Sequence, residues 1–305
     1  MIDARIKFRH IQCFVEIVRQ GSLKRASERL NLTQPAVSRT LKELEETLGA
    51  TLLERDRGGV TLTPRGEVFR HFAQTSLAAL QQGLDGVDQM TRGGRSVAAV
   101  GALPSVAASL MPQVAAHLAS AAPNMQLHIV EGAHGDLVAR LRSGALDMVI
   151  GRLGAVDTMQ GLSFTQLYTE VVDMVVRPGH PLLRAPRLEA IGDWPVIYPP
   201  RDSAIYALVE TFLLANGIGD LPNRLETVSG AFAHVYTPAS DAIWIISHGV
   251  VAPALEAGRL VRLPFDTSPT RGPIGVMTRA GQQPSAAADT VLLATRRVLE
   301  IREAL

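Results

Sequence analysis

Residues 21–49 read GSLKRASERLNLTQPAVSRTLKELEETLG, and this stretch decides the N-terminal fold. Ser22 is a good N-cap for a short helix, and Thr33 is a good N-cap for the helix that follows. Pro35 falls in the first turn of the second helix, where backbone N–H groups have no intrahelical partner. The stretch therefore predicts two helices joined by only a few polar residues.

The second predicted helix has one apolar stripe and one polar face. The stripe consists of Val37, Leu41, Leu44 and Leu48. The polar face carries its uncharged and basic side chains in the N-terminal half and its acids in the C-terminal half. The N-terminal half presents Gln34, Pro35, Ser38, Arg39 and Lys42.

This division of charge points to nucleic acid. Glutamine and arginine are side chains that bind adenine and guanine edges bidentately, and a helix N-terminus attracts phosphate. The acids Glu43, Glu45 and Glu46 would repel phosphate, so the N-terminal half is the end that enters a groove. The pattern is that of a helix-turn-helix whose second helix reads the major groove. The alternative is a helical hairpin that only packs, with a solvated polar face.

A basic excess and a predicted hairpin support the DNA interpretation. Residues up to Arg65 include 12 lysines and arginines against 8 acids, although the whole chain carries a formal net charge of only +1. The segment TLLERDRGGVTLT (51–63) predicts two short strands around a turn. Arg55 and Arg57 at its tip would form a wing that contacts phosphate or the minor groove; a solvated turn is the alternative.

The string from Phe8 to Glu67 resembles the LysR-type transcriptional regulators. The resemblance rests on fixed spacing of Gly21-Ser22, the run TQPAVS (33–38), Leu44-Glu45, Leu48-Gly49 and the run LTPRG (62–66). Leu53 departs from the family, which usually has phenylalanine there. The resemblance implies double-stranded DNA as a partner. The implied DNA-binding residues are Ser22, Thr33, Gln34, Pro35, Ala36, Ser38, Arg39, Lys42, Arg55, Arg57, Thr63 and Arg65.

The resemblance also divides the chain. It implies a winged helix-turn-helix over residues 1–66 and a long linker helix over 63–91, which pairs chains into a homodimer or homotetramer. TRGGRS indicates a hinge at 92–96. A helix packed on its own domain is the alternative for the linker.

Strands alternate with helices after residue 96, which favours mostly parallel sheets covered by helices. The resemblance implies that residues 97–305 form an α/β effector-binding domain of two lobes, like a periplasmic binding protein. Lobe I is expected over about 97–166 and 271–305, and lobe II over about 167–270. A small effector would bind in the cleft between them.

Candidate effector-binding residues lie where strands end and helices begin. Arg152 closes the strand DMVIGR, where a guanidinium can bind a carboxylate bidentately. The full set is Leu103, Pro104, Ser105, Gly132, Ala133, His134, Arg152, Tyr198, Pro199, Arg201, Ser203, Ser229 and Phe232. Alternatives remain open: the serines as plain helix caps, Arg152 as a lobe–lobe salt bridge, and His134 as an ordinary hydrogen-bonded histidine.

Other classes of function find little support. One cysteine, Cys13, excludes an internal disulfide framework and is expected to be a packed thiol. No zinc-type spacing, Walker loop, nucleophile elbow or dinucleotide fingerprint occurs, so neither a metal nor a cofactor is expected. The rivals are an enzyme fused to a DNA-binding module, which lacks a paired nucleophile and base, and a solute-binding protein. The chain shows no secretion signal or membrane span, which favours a bacterial cytoplasmic, nucleoid-associated protein.

The effector is predicted from a closer resemblance. Within the family, the first 40 residues resemble regulators of the pca operon for protocatechuate breakdown through the β-ketoadipate pathway. That implies a carboxylated aromatic acid or its ring-cleavage product as inducer, with RNA polymerase as a further partner. A sugar or another small metabolite is the alternative.

Overall fold

A computed structural model describes residues 3, 5–56, 59–91 and 96–303. The chain forms two compact units, one N-terminal and one C-terminal. The elements of the N-terminal unit are α1 (Phe8–Gln20), α2 (Leu23–Leu30), α3 (Gln34–Leu48), β1 (Leu53–Asp56), β2 (Gly59–Leu62) and α4 (Pro64–Thr91).

The predicted caps of the helix pair are confirmed. The Ser22 hydroxyl accepts a hydrogen bond from the Arg25 N–H at 3.4 Å, and the Thr33 hydroxyl accepts one from the Ala36 N–H at 3.4 Å. Gly21 ends α1 in the left-handed region, at φ 59°, where glycine carries no Cβ penalty. The pair therefore begins and ends where its local chemistry predicts.

The core of the N-terminal unit forms where α1, α3 and α4 meet. Val37, Leu41 and Leu44 are buried, which confirms the predicted stripe, while Leu48 is half-buried. The Phe14 ring meets Phe69 of α4 edge-on, with ring centroids 5.2 Å apart. Burial of aromatic and aliphatic side chains is the main favourable contribution to the stability of such a unit.

Two further contacts fix α3 in place. The Cys13 thiol donates a hydrogen bond to the Val37 carbonyl at 3.5 Å, and burial raises its pKa to about 11, so it is a packed thiol as predicted. The Glu45 carboxylate accepts hydrogen bonds from the N–H groups of Leu52 and Leu53 at 2.7 and 3.2 Å. Glu45 thereby joins α3 to the start of the β1–β2 hairpin.

The C-terminal unit contains two five-stranded sheets. The first half of its chain gives β3 (Val97–Ala102), α5 (Pro104–Ser109), α6 (Met111–Ala121), β4 (Gln126–Glu131), α7 (His134–Arg142), β5 (Met148–Arg152), β6 (Leu162–Glu170) and β7 (Val172–Val176). The second half gives β8 (Val196–Tyr198), α8 (Tyr206–Ala215), β9 (Arg224–Glu226), α9 (Gly230–Tyr236), β10 (Ile243–Ser247), α10 (His248–Glu256), β11 (Val261–Arg262), β12 (Gly272–Arg279) and α11 (Ala286–Glu303).

Each sheet defines one lobe. The sheet of lobe I has the order β4-β3-β5-β12-β6, and that of lobe II has the order β11-β7-β10-β8-β9. The expectation of mostly parallel sheets is wrong, because both lobes mix the two kinds of pairing. In lobe I, β12 returns from late in the chain and lies antiparallel to both β5 and β6. In lobe II, β7 lies antiparallel to both β10 and β11.

The chain passes between the lobes twice. Strand β6 stays in lobe I as far as Glu170, so the first passage follows that residue rather than residue 166. The second passage leads from Thr270 into β12, which begins at Gly272. Two connecting segments lie side by side here, since the Val172 N–H donates a hydrogen bond to the Thr270 hydroxyl at 2.9 Å.

The two lobes have separate hydrophobic cores. Lobe II packs around the fully buried Trp244, whereas lobe I has buried clusters on both faces of its sheet, one including Val276 and the other Met277. Alternate residues of β12 thus serve opposite faces, as the two-residue repeat of a strand requires. No helix within the described part of the chain is long and apolar enough to cross a membrane.

Candidate functional site

The outer surface of α3 presents a row of polar and basic side chains. Gln34, Pro35, Arg39 and Lys42 are exposed and Ser38 is half-buried. Pro35, Ser38, Arg39 and Lys42 line one shallow groove together with Glu43 and Glu46. The Lys42 ammonium lies 3.6 Å from the Glu46 carboxylate. An exposed pair of this kind is weak, so Lys42 remains able to exchange that partner for a phosphate.

Two residues of α1 that the sequence analysis did not single out contact an acidic side chain of this groove. Arg9 donates a hydrogen bond to the Glu43 carboxylate at 3.0 Å, and the His10 ring lies 3.3 Å from the same oxygen. The Arg9 hydrogen bond, followed by that of His10, lowers the pKa of Glu43. The negative charge of Glu43 is therefore partly compensated beside the basic row.

One predicted DNA-binding residue has another structural role. Thr63 is buried, and its hydroxyl donates to the carbonyls of Thr51 and Leu52 at 2.8 and 3.2 Å and accepts from the Gly66 N–H at 2.9 Å. These hydrogen bonds stabilise the start of α4 and occupy the only proton that the Thr63 hydroxyl could donate to DNA. Arg65 is exposed.

Three other predictions fall on residues that the structure does not describe fully. Arg55 lies in β1, and its side chain is outside the described part. Arg57 and residues 92–95 of the hinge predicted at 92–96 lie outside the described residues altogether.

The second candidate site is a cleft between lobes I and II with a volume of about 60 Å³. Small-molecule sites usually span roughly 300–1,000 Å³, so side chains or lobes must move to admit an aromatic acid. Its walls are mainly apolar, with hydroxyl groups from both lobes. The lining residues are Leu103, Pro104, Ser105, Ala133, His134, Arg152, Asp202, Ser203, Ala204, Ile205, Val228, Ile246, Ser247 and Val250.

The cleft brings together seven of the predicted effector residues, from Leu103 to Ser203. Those predicted residues that do not line it are Gly132, Tyr198, Pro199, Arg201, Ser229 and Phe232. Sequence reasoning missed Ser247 and Ile246 at the end of β10, although the apolar run AIWIIS (242–247) ends with a serine that precedes a helix. A serine at the carboxyl end of a buried strand was thus the available signal.

Each predicted residue outside the cleft has another structural role. Tyr198 is buried in the core of lobe II, which raises its pKa to about 12, and Pro199 beside it is also buried. The Arg201 guanidinium lies over the Tyr206 ring, 6.0 Å from its centroid.

Ser229 is the N-cap of α9 and accepts a hydrogen bond from the Phe232 N–H at 3.2 Å. The Phe232 ring stacks on Tyr236, with centroids 5.2 Å apart. Gly132 lies before α7, where a Cβ would contact the Leu137 side chain at 3.4 Å. These contacts account for the three residues by packing and capping.

His134 is a hydrogen-bonded histidine at the start of α7. Its Nε2 lies 3.2 Å from the Thr158 hydroxyl. Gly154 faces the ring so closely that a Cβ there would lie 2.1 Å from Nε2. His134 therefore forms a fixed, polar part of the cleft wall. No group of three or more histidines, cysteines or acids among the described residues is arranged to hold a metal ion.

Arg152 lies at the base of the cleft and is only 4% exposed. Its Nη2 donates to the Glu170 carbonyl at 3.1 Å, and its Nη1 lies 3.5 Å from the Thr270 carbonyl. Glu170 is the last residue before the first lobe–lobe passage, and Thr270 begins the second. Arg152 thus binds both connecting segments while one side of it faces the cleft.

Glu170 is buried behind Arg152, with a carboxylate oxygen 3.8 Å from Nη2. Burial raises the pKa of Glu170, although Arg152 and the Gly249 N–H oppose that shift. Burial also lowers the pKa of Arg152. For both groups, the desolvation that accompanies burial therefore outweighs the attraction between the two charges.

Two family models account for the chain. Residues 8–67 match the model described as "Bacterial regulatory helix-turn-helix protein, lysR family", and residues 92–300 match the "LysR substrate binding domain". The chain belongs to the LysR family of transcriptional regulators. Its helix-turn-helix binds DNA, and its substrate-binding domain serves a small-molecule effector. This LysR-family protein is a regulator, not an enzyme.

Curated relatives and solved structures agree with this assignment. The regulator is 45% identical over 299 residues to the HTH-type transcriptional regulator PcaQ of Agrobacterium fabrum, covering 97% of this chain and 96% of PcaQ. It is 33% identical to YdcI of Escherichia coli, covering 97% of both chains. The structure of full-length LysG from Corynebacterium glutamicum with bound effector Arg has a TM-score of 0.63 at 18% identity, covering 97% of this chain and 99% of LysG. That last similarity concerns the fold alone.

Proposed function

We propose that this LysR-family regulator controls genes for protocatechuate catabolism in response to a carboxylated aromatic acid or its ring-cleavage product. The observation that carries the proposal is the 45% identity with PcaQ across nearly the whole of both chains. The cleft chemistry supports it, because apolar walls suit an aromatic ring and Arg152 suits a carboxylate.

In this proposal the N-terminal half of α3 enters the major groove. Gln34 and Arg39 are exposed there and have the chemistry of base-reading side chains. The N-terminus of α3 is capped by Thr33 and carries the positive end of the helix dipole toward phosphate. The β1–β2 hairpin would act as the wing.

Pairing of two chains through α4 would match the two halves of a palindromic operator. Val68, Phe72, Leu80 and Leu84 of α4 are exposed apolar residues separated by multiples of four. Such a stripe lies on one slowly turning face and suits a partner helix. A homodimer formed this way could assemble further into a homotetramer.

The effector class can be tested with the full-length chain and the promoter of its own pca genes. Binding and DNase footprints would be measured with protocatechuate, carboxymuconate or glucose added separately. We expect one of the carboxylates to alter the footprint and glucose to leave it unchanged. A footprint that changes with glucose alone would support a sugar as the effector and refute the proposed carboxylate.

Base reading is tested by Gln34→Ala. The loss of one bidentate base contact should weaken operator binding by about 1–3 kcal/mol and leave binding to random DNA nearly unchanged. Gln166→Ala is the matched control, because Gln166 is an exposed glutamine in β6 of the effector domain. Electrophoretic titrations of both DNAs provide the measurement. An equal loss on both DNAs would show that Gln34 reads no base.

A further inference from the structure

The Arg152–Glu170 pair separates two spaces in the effector domain. Arg152 lines the cleft, whereas Glu170 lines a different groove on the other side of the lobe–lobe passages, together with His248 and Arg302. Both members of the pair are about as buried as core residues, with 4% and 5% exposure. A ligand in the cleft therefore meets Arg152 first, and Glu170 lies directly behind it.

The surrounding backbone holds this pair closely. The Glu170 carboxylate accepts a hydrogen bond from the Gly249 N–H at 2.9 Å. A Cβ at Gly249 would lie 2.7 Å from that carboxylate, and a Cβ at Gly272 would lie 2.2 Å from Arg152 Nη1. Glycine at both positions leaves just the room that the two charged groups occupy. The backbone therefore confines both charged groups.

The second carboxylate oxygen of Glu170 has spare capacity. Oε2 is buried, faces Arg152 Nη2 at 3.8 Å and has no hydrogen bond of normal geometry within the described residues, and Arg152 Nε likewise has none. The Arg152 charge is already matched by one carboxylate. An anionic ligand at Arg152 would place a second carboxylate near the first, in a site with little water to screen their repulsion.

We propose that Glu170 is the positioning residue for Arg152 and takes up one proton when a carboxylate ligand binds in the cleft. The inference rests on the proposed anionic effector. The proton passes from a buffer acid through the second groove to Oε2, so that the carboxylate becomes a neutral carboxylic acid. Arg152 then transfers its charge pairing from Glu170 to the ligand.

The groups that face Glu170 agree with this assignment. Arg152 from β5 and the Gly249 N–H from α10 favour the ionised form, as does Ser105 from α5, but burial outweighs them and raises the pKa of Glu170. Tyr168 on β6 lies near it, with a pKa that burial raises above its usual range, and Arg302 of α11 acts on Tyr168. The remaining titratable neighbour is His248.

His248 is the competing proton acceptor. Its Nδ1 lies 2.7 Å from the Asp173 carboxylate, and this hydrogen bond raises the pKa of His248. Arg262 also contacts Asp173 at 2.9 Å. Any measured proton must therefore be assigned between Glu170 and His248 by substitution.

The pH dependence has a definite sign. Ligand binding raises the pKa of Glu170 further, so affinity is greatest below the pKa of the free protein. Affinity then falls by up to about tenfold per pH unit until the pKa of the bound protein is passed, and it is constant above that point. If Glu170 did not titrate, the affinity for an ionised ligand would be the same at every pH.

The test is calorimetry on the full-length chain with protocatechuate, from about pH 6 to about pH 8. Each titration is performed in phosphate and in Tris, whose different ionisation enthalpies reveal proton uptake. We expect uptake of up to one proton per site in the wild type and in Glu256→Gln, a control at an exposed acid of the same groove. Glu170→Gln should bind without uptake, since its amide oxygen can still accept from Gly249.

The outcomes are distinguishable. Binding without proton uptake at every pH overturns this inference alone, and so does uptake that survives Glu170→Gln or disappears in His248→Gln. Absence of binding by both protocatechuate and carboxymuconate overturns this inference and the proposed effector class together. Should Glu170→Gln fail to fold, uptake that persists in both His248→Gln and Glu256→Gln supports Glu170, and uptake lost in His248→Gln refutes it.

Discussion

Single residues set the shape of the cleft floor. Gly151, in the middle of β5, lies directly beneath Leu103, a lining residue of the cleft. A Cβ at Gly151 would lie 1.8 Å from Leu103 Cδ1 and 2.7 Å from Leu103 Cβ. Rotation of the Leu103 side chain cannot relieve this clash, because the Leu103 Cβ is bonded directly to the backbone and does not move with the rotation. The glycine is therefore required by packing and not by an unusual φ.

We accordingly expect Gly151→Ala to destabilise the protein by about 1–3 kcal/mol through overpacking. Gly135→Ala is the matched control, since a Cβ there has no neighbour within 4 Å and lies in α7. This control should be neutral or stabilising by up to about 1 kcal/mol because alanine favours a helix. Urea unfolding of the two variants measures the difference, and equal stabilities would contradict the packing argument.

At the scale of elements, the boundary between the β1–β2 hairpin and α4 depends on a few buried polar contacts. The Thr63 hydroxyl joins the carbonyls before the hairpin to the first turn of α4. Gly66 lies so close that a Cβ would be 2.0 Å from the Leu52 carbonyl oxygen. The run LTPRG thus fixes the direction in which α4 leaves the hairpin.

Thr63→Ala should cost about 1–3 kcal/mol of stability, because it leaves buried hydrogen-bonding groups without their partner. Its preference for operator over random DNA should be unchanged. Thr63→Ser keeps the hydroxyl and should lose much less stability. Thermal unfolding and DNA titration of both variants decide the matter; a selective loss of operator binding in Thr63→Ala would restore this residue to the DNA-binding surface.

At the scale of the whole molecule, each unit has its own core, and lobes I and II are joined by two connecting segments whose carbonyls Arg152 hydrogen-bonds. An effector that binds Arg152 acts on both segments at once. In a reciprocal scheme, DNA that favours one arrangement of the lobes would also change effector affinity. Such a scheme needs paired chains, which we propose to form through α4.

Leu84→Glu tests that assembly, because a buried carboxylate in a helix–helix interface is costly. We expect it to shift the protein toward monomer in sedimentation velocity. The matched control is Val156→Glu, where the same kind of substitution replaces a side chain that is 91% exposed in the effector domain. If Leu84→Glu sedimented like the wild type, α4 would not be the dimer contact.

Local patterns predicted much of the fold because their causes are local. Caps at Ser22 and Thr33, the stripe from Val37 to Leu44 and the hairpin around residue 57 depend on neighbours a few positions away. The amphipathic run from Ser105 to Ala121 forms two helices that are divided at Leu110, and Pro112 lies in the first turn of the second. Direction of strands was less predictable, since β12 pairs with partners more than 100 residues earlier.

Half of the predicted effector set lines the cleft because those residues follow strand ends, which meet at one edge of a sheet. Tyr198 and Thr63 are both buried, which their sequence context did not reveal, because a polar atom on a side chain does not tell which way that side chain points. Order along the chain was thus enough for the helix-turn-helix, since this follows from short-range periodicity and capping. The family and the cleft between two lobes were implied by the resemblance that runs such as TQPAVS (33–38) carry. The pairing of Arg152 with Glu170 required the folded chain, because long-range packing alone brings these two charges together away from water.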